Sequence, residues 1–424
     1  MEGLLLLLFL LVPIILGTPI AFSLGIAGIL GIIFFLSPNQ LTQVTSIVLS
    51  NSTSNTLLVA PMFIIMAEIL IISGISGDLF NAARKWLSRL PGGLAITAIA
   101  ACSGFAAVTG SSGATVATIG SMSVPEMLKQ KYSVRLAAGS VVSGGTLGIL
   151  IPPSMALIIY GVTNEVSISK LFIAGIIPGI IVAILLSIAI VIYSKMKPEN
   201  APGGESYSWK QRWFSLITIL PILVISFIII ISMYTGIATP TESAGLGVVA
   251  SLITAGLMRR LTWENLKIAM LKSAKTSSMV LLLIIGGMTF GFVVGYLNIP
   301  EQIVSSIQQL DLNRWMVLTL FIVILLIMGC FLDPISMILL TMPFMFPVIV
   351  QLGFDPIWFG IIVTITCEIG MITPPVGMNL FVLKSVVPEI KLNDIIIGSA
   401  PFILVLMLAI VLFVFFPQFV TMLI

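Results

Sequence analysis

Two otherwise apolar runs of this chain are interrupted by paired prolines, and the interruptions lie 222 positions apart. The first reads Gly-Thr-Leu-Gly-Ile-Leu-Ile-Pro-Pro-Ser-Met over 145–155. The second reads Cys-Glu-Ile-Gly-Met-Ile-Thr-Pro-Pro-Val-Gly-Met-Asn over 367–379. The same offset carries Gly148 onto Gly370, Pro152 onto Pro374, Pro153 onto Pro375 and, further back, Pro125 onto Pro347. A proline inside a helix removes a backbone donor and clashes with the preceding turn, so each pair predicts a helix broken in mid-run. Broken helices in matching places of two halves point to the binding site of a secondary transporter.

The surroundings make these breaks a membrane feature. The chain is 58% hydrophobic and only 8% charged, with mean hydropathy +1.21, whereas a soluble domain carries about 25% charged residues. Its 424 residues leave room for roughly ten spanning helices of ~20 residues each, with no large soluble domain beside them. The fold class expected is therefore an all-α polytopic membrane protein. Nothing suggests nucleic acid, because the basic residues form short loop clusters without aromatic platforms. Cys102, Cys330 and Cys367 lie in apolar runs without CxxC spacing and read as small apolar core residues. With no histidine in the chain, the commonest proton carrier and metal ligand is missing. The leucine-rich N-terminus lacks a basic region and carries Glu2, so it reads as a retained span and not a signal peptide.

The repeat extends along the whole chain. The uncharged run Leu4–Leu36 is too long for one span, and Gly17-Thr18-Pro19 divides it in two. Ala238-Thr239-Pro240-Thr241-Glu242 is its counterpart, 221 positions later. One copy then covers 1–194 and the other 213–424, joined by a linker over 195–212. In each copy three spans precede a segment too broken to cross, then a Pro-Pro-broken helix and a last span. The broken segments are about 94–122, with Thr-Gly-Ser-Ser-Gly-Ala-Thr at its middle, and about 317–346, with Leu-Asp-Pro-Ile-Ser at its middle. Each reads as a re-entrant helical hairpin whose polar tip ends at membrane depth, tolerated there only when buried in protein or lining a cavity. The broken helices are expected over about 136–161 and 356–388, and an amphipathic interfacial helix over about 261–276.

Charge placement sets the orientation. If both hairpins return to the side they entered, every lysine and arginine of the 19 except Lys170 and Arg314 falls on one side. The positive-inside rule makes that side cytoplasmic. The 195–212 loop is then cytoplasmic, the N-terminus periplasmic, and the hairpins enter from opposite faces, so the copies form an inverted structural repeat.

A broken helix offers carbonyls at one half-helix end and amides at the other. Carbonyls and hydroxyls suit a hard cation, and helix N-termini suit an anion. The tips supply Ser103, Ser111, Ser112, Gly113 and Thr115 in one copy, and Asp333 and Ser336 in the other. The unwound segments add Gly145, Thr146 and Ile151 in one half, and Thr373, Gly377 and Asn379 in the other. Each half is expected to build one Na⁺ site between tip and break, two in all. The competing reading makes these small residues helix-packing contacts. Ser112, Pro153, Ser154, Pro375, Met378 and Asn379 border the breaks and are the expected substrate contacts. Among the intramembrane acids, where a charge costs at least ~2.5 kcal/mol, Asp333 is the expected charged ligand. Glu368 is expected to pair locally, and Glu68 and Glu242 to satisfy backbone or interhelical partners. Gly287, Gly291 and Gly295 form a small-residue seam for close helix packing.

These residues resemble the large membrane subunit of tripartite ATP-independent periplasmic (TRAP) transporters. The matching stretches are Gly17-Thr18-Pro19, Gly110 to Thr115, Ile151-Pro152-Pro153-Ser154, Thr239 to Ala244, and Ile372 to Asn379. The resemblance implies a scaffold and a mobile transport domain holding both hairpins and both broken helices. It implies Na⁺-coupled uptake of an organic acid by an elevator-type movement in the bacterial inner membrane, with dicarboxylates, keto acids and sialic acid all open. It implies two partners, a small four-helix membrane subunit on a separate chain and a soluble periplasmic substrate-binding protein.

Two other readings stand beside this one. The first is a self-sufficient Na⁺- or H⁺-coupled anion carrier of a related inverted-repeat type, with Asp333 or Glu368 as proton carrier. The second is an intramembrane enzyme. Zinc-protease chemistry of the HExxH kind is closed without histidine, no GxxxxGK[ST] phosphate loop is present, and no lysine lies near Ser111 in sequence. The expectation is a transporter and not an enzyme.

Overall fold

The computed structural model describes residues 2–310 and 312–424, and among these residues it is built of helices without a β-strand. The first part of the chain forms α1 (Glu2–Ile15), α2 (Ile20–Phe35), α3 (Leu41–Ser52), α4 (Val59–Ile72) and α5 (Ile75–Leu87). It continues through α6 (Gly93–Thr109), α7 (Ser112–Lys129), α8 (Val134–Thr146), α9 (Met155–Thr163) and α10 (Ile168–Met196). After residues 197–208 come α11 (Trp209–Tyr234), α12 (Pro240–Leu257), α13 (Trp263–Tyr296), α14 (Ile299–Gln309) and α15 (Arg314–Gly329). The chain closes with α16 (Pro334–Gln351), α17 (Pro356–Ile372), α18 (Met378–Val386), α19 (Leu392–Phe415) and α20 (Gln418–Thr421). Five of these helices, α10, α11, α13, α16 and α19, are long and apolar enough to cross a bilayer, and α4 with α5 makes a sixth as a bent pair. The protein is a multi-pass membrane protein.

Several local features follow from single residues. Gly17 turns α1 back on α2 with a positive φ of 85°, so the long uncharged run is two packed helices, as the GTP signal predicts. The bend between α4 and α5 is 69°, and it falls at Gly74 with φ 71°. Asn298, with φ 50°, makes the corresponding break between α13 and α14. Neither of these two short arms, α5 and α14, is in the sequence reading. Thr239 and Glu242 cap α12 reciprocally: the Thr239 amide donates to Glu242 Oε2 at 2.8 Å and the Glu242 amide to Thr239 Oγ1 at 3.3 Å. Glu242 therefore satisfies backbone, as expected for one of the two readings of that acid.

Two expectations need correction. Residues 261–276 do not form a separate interfacial helix. They open α13, a single helix of 34 residues, ~51 Å long at 1.5 Å per residue. No glycine or proline stands between Trp263 and Gly286, so nothing stops the helix where the lysine-rich stretch becomes apolar. The hairpins also run on beyond the predicted 94–122 and 317–346. Pro125 sits inside α7 and Pro347 inside α16, where these helices continue past the prolines.

The packing falls into two interlocked groups. α13 lies against α2 and α4, with α12 on α4, α1 on α2 and α11 on α5 and α12. The hairpins α6–α7 and α15–α16 and the broken helices α8–α9 and α17–α18 gather with α19. Within that second group α8 packs on α6 and α7, and α17 on α15. The second half of each broken helix crosses over: α18 packs on α7, and α9 on α16. The core is continuous across both groups, with large side chains such as Tyr160, Phe105, Phe290 and Phe359 fully buried.

Candidate functional site

The first hairpin tip is made by three residues with three different backbone geometries. Gly110 ends α6 at φ 59°, Ser111 is extended at φ −135°, and Ser112 begins α7. The Ser111 hydroxyl accepts from the Ala114 amide at 3.4 Å, and the Ser111 carbonyl accepts from Thr115 Oγ1 at 2.8 Å. Thr115 Oγ1 also lies 3.1 Å from Thr109 Oγ1. A methyl group on Gly110 would sit 2.7 Å from the Pro153 carbonyl oxygen, so only glycine lets the tip close onto the break.

The first break is a 3₁₀ turn over Leu147–Ile149 followed by the prolines. Ser154 closes it: its hydroxyl donates to the Ile149 carbonyl and accepts from the Leu157 amide at the start of α9. The Met155 amide donates to the Gly110 carbonyl at 3.3 Å, which joins break to tip. At the second break the Gly377 amide donates to the Cys330 carbonyl at 2.9 Å, and Met155 and Gly377 are 222 positions apart. Both Pro152–Pro153 and Pro374–Pro375 peptide bonds are cis. The two breaks differ in exposure: Pro152, Pro153 and Ser154 are buried, while Pro374, Pro375 and Val376 are exposed.

The second tip is organised by Asp333. Its Oδ2 accepts from the amides of Ile335 and Ser336 at 3.1 and 3.2 Å, and its Oδ1 accepts from Ser336 Oγ at 2.5 Å. The carboxylate expected as an ion ligand is thus also the N-cap of α16, with Pro334 in the first helical position. That role was legible, since Asp followed by Pro is a helix-start signal.

Both tips and both breaks meet at one cavity of about 310 Å³. Ser111, Ser112 and Gly113 reach it from one tip, Asp333 and Ile335 from the other, Met155 and Met378 from α9 and α18, and Met371 from α17. Ser112 Oγ donates to Met371 Sδ at 3.2 Å, a direct link from α7 to α17. The opposite wall comes from α4 and α13, through Ile64, Glu68, Thr276 and Val280. Glu68 makes no side-chain hydrogen bond among the described residues and faces the cavity, so the expectation that it satisfies backbone or an interhelical partner fails. The structure does not bring Ser103 to this cavity; its hydroxyl donates to Ile99 within α6 at 2.9 Å. Gly145, Thr146, Ile151, Pro153, Ser154, Thr373, Pro375, Gly377 and Asn379, around the breaks, and Thr115 and Ser336, at the tips, do not line the cavity. Thr146 and Thr373 donate to Ser143 and Ile369 carbonyls at 2.7 and 2.6 Å.

Three of the buried polar side chains that lack partners stand together. Both carboxyl oxygens of Glu368, both polar atoms of Asn379 and the Ser143 hydroxyl have none among the described residues, although Glu368 and Asn379 are 0% exposed. Glu368 was expected to pair locally and does not. The three stand on α17, α18 and α8, which pack against one another. Groups buried without partners mark places where an ion or water completes the structure. Oxygens of this kind, with break carbonyls, fit a hard cation such as Na⁺. Among the described residues no three of His, Cys, Asp or Glu converge, so no transition-metal ligand set is formed there. A larger cavity of about 580 Å³ lies along Gly287, Gly291 and Gly295 of α13, facing α16. No predicted site residue lines it, and Gly287 packs against Leu339 there.

Comparison with known proteins places this geometry. Residues 7–419 match the family model described as tripartite ATP-independent periplasmic transporter, DctM component. The C4-dicarboxylate TRAP transporter large permease protein DctM of Pseudomonas aeruginosa is 37% identical over 396 residues, covering 93% of this chain and 92% of that one. The isethionate TRAP transporter permease protein DctMQ of Oleidesulfovibrio alaskensis is 33% identical, covering 88% of this chain and 59% of its own longer one. In fold, the Neisseria gonorrhoeae MtrF structure superposes with a TM-score of 0.64 at 14% identity, covering 98% of this chain and 95% of that one. The chain belongs to the DctM component family of tripartite ATP-independent periplasmic transporters.

Proposed function

We propose that this chain is the large permease subunit of a Na⁺-coupled symporter that imports an organic acid. The observation that carries the proposal is the meeting of two hairpin tips and two helix breaks at a single cavity between the copies. In this reading the hairpins, the broken helices and α19 move as one body against α1–α4 and α11–α13, an elevator-type movement. Two Na⁺ sites, one per copy, use the tips and breaks, with Asn379 and Ser143 as side-chain oxygens left free for them. Bound Na⁺ supplies positive charge beside the substrate carboxylate, and the α7 N-terminus adds unpaired amides. The copies are inverted, with the N-terminus periplasmic and the 195–212 loop cytoplasmic, as the basic residues indicate.

The substrate class is a carboxylate or a related organic acid, sialic acid included. A small membrane subunit on a separate chain and a periplasmic binding protein that delivers the substrate complete the system. Proteoliposomes holding all three components test the coupling. Uptake is expected to need an inward Na⁺ gradient and to persist when the proton gradient is collapsed. Unchanged uptake in Na⁺-free buffer refutes the coupling, and full uptake without the binding protein identifies a self-sufficient carrier.

A further inference from the structure

The two tips present chemically different first turns to the cavity where they meet. At the α7 end the amides of Ser112 and Gly113 have no partner among the described residues, and the helix dipole adds positive character. At the α16 end the first turn is closed: Pro334 has no N–H, and the amides of Ile335, Ser336 and Met337 all donate to Asp333. No lysine or arginine lines the cavity, although carboxylate recognition ordinarily recruits arginine. What does line it is a second acid, Glu68, half-buried on α4. The Asp333 charge is met locally by the amides it caps. Glu68 has no such counterpart. Lys272, one turn before Thr276 on α13, acts on it electrostatically but forms no ion pair within 4.0 Å.

We propose that the substrate taken here carries a cationic group as well as a carboxylate, with the carboxylate at the Ser112–Gly113 amides and an ammonium or amidinium group facing Glu68. This rests on the reading of the cavity as the substrate site of an organic-acid transporter. A dicarboxylate would place its second negative charge against Glu68, where like charges repel. A zwitterion of the same length meets complementary charge at both ends.

Matched pairs of probes test this on the purified full chain in Na⁺-containing detergent: malonate with β-alanine, succinate with 4-aminobutyrate, adipate with 6-aminohexanoate. Binding is read by titration calorimetry up to about 10 mM, the weak end of measurable affinity. In at least one pair the amino acid is expected to bind about tenfold or more tighter than the diacid, the scale of one charge-assisted contact. Glu68→Gln is expected to erase that margin and Glu68→Asp to keep it, with both variants eluting as wild type on size exclusion. Diacids binding tighter in every pair, or a margin that survives Glu68→Gln, overturns the zwitterion proposal and leaves the organic-acid reading standing. Na⁺-dependent binding of no probe overturns both.

Discussion

The Gly377 amide donates to the Cys330 carbonyl at 2.9 Å, fastening the second helix break to the second hairpin tip. Gly377 holds a left-handed φ of 61° there, and an added methyl group would come within 2.8 Å of Leu380 and 2.9 Å of the Thr373 carbonyl. A left-handed conformation costs an alanine ~1–2 kcal/mol before any contact is counted. Gly377→Ala is therefore expected to lower stability by at least that amount and to raise the Na⁺ concentration for half-maximal uptake. Thermal unfolding in detergent, with and without Na⁺, reads both effects. A variant that melts and transports like wild type shows that the tie is dispensable.

Asp333 does two jobs in the proposed site, and two substitutions separate them. Asn is as good an N-cap as Asp, whereas Ala loses ~1–2 kcal/mol of capping. Asp333→Ala is expected to lower the melting temperature. Asp333→Asn is expected to melt near wild type while needing about tenfold more Na⁺ for uptake, the loss of one charged ligand contact. Wild-type Na⁺ dependence in Asp333→Asn assigns the carboxylate to the cap alone. Ser112→Ala is expected to shift the Na⁺ requirement in the same direction.

Much of this arrangement was legible because it rests on local chemistry. Pro152–Pro153 and Pro374–Pro375 break their helices where proline must, and Thr239 with Glu242 is a capping box readable from four residues. Other features depend on partners far away in sequence. Glu68 faces the cavity because α13, about two hundred residues later, packs on α4 and completes the same wall with Thr276 and Val280, and no local pattern around Glu68 announces that. Ser103 fails as a tip residue because α6 continues as regular helix to Thr109, so its hydroxyl is satisfied one turn back. The lysine-rich start of α13 reads as a surface helix by composition, yet uninterrupted helix-forming residues carry it straight into the apolar half. Gly74 carried a usable signal, a glycine between an apolar run and an amphipathic one, which marks the bend before α5.

Glu368 is fully buried with neither oxygen partnered among the described residues. Replacing a buried polar group that lacks a partner by an apolar one of similar size is neutral or stabilising, by up to ~1–4 kcal/mol. Glu368→Met is therefore expected to raise the melting temperature in Na⁺-free detergent, or leave it unchanged. A clear drop would show that the carboxyl is bonded in solution, to water, to an ion or to a neighbouring side chain.

The connection between α10 and α11 carries its own pH sensitivity. Glu205 accepts from Tyr207 Oη at 2.5 Å and pairs with Arg84 at 3.2 Å, while its carbonyl accepts from Ser88 Oγ at 2.7 Å. Arg84 also pairs with Glu126 of α7 at 3.1 Å, so the linker, α5 and the first hairpin share one cation. The Tyr207 hydrogen bond, and after it the Arg84 charge, hold the Glu205 carboxyl below its ordinary 4.5. A lowered value in the folded state means that the attachment contributes fully above pH 4.5 and is lost as pH falls through the lowered value. The linker is expected to loosen from α5 only in that acidic range. Trp86 reports it: its ring stands edge-on to Trp209 and Trp213 at 6.3 and 5.8 Å, and its indole N–H donates to the Arg212 carbonyl. Tryptophan emission is expected to change as pH falls below 4.5 in the wild type and to stay flat in Glu205→Gln. An identical transition in both proteins would assign the pH response to another group.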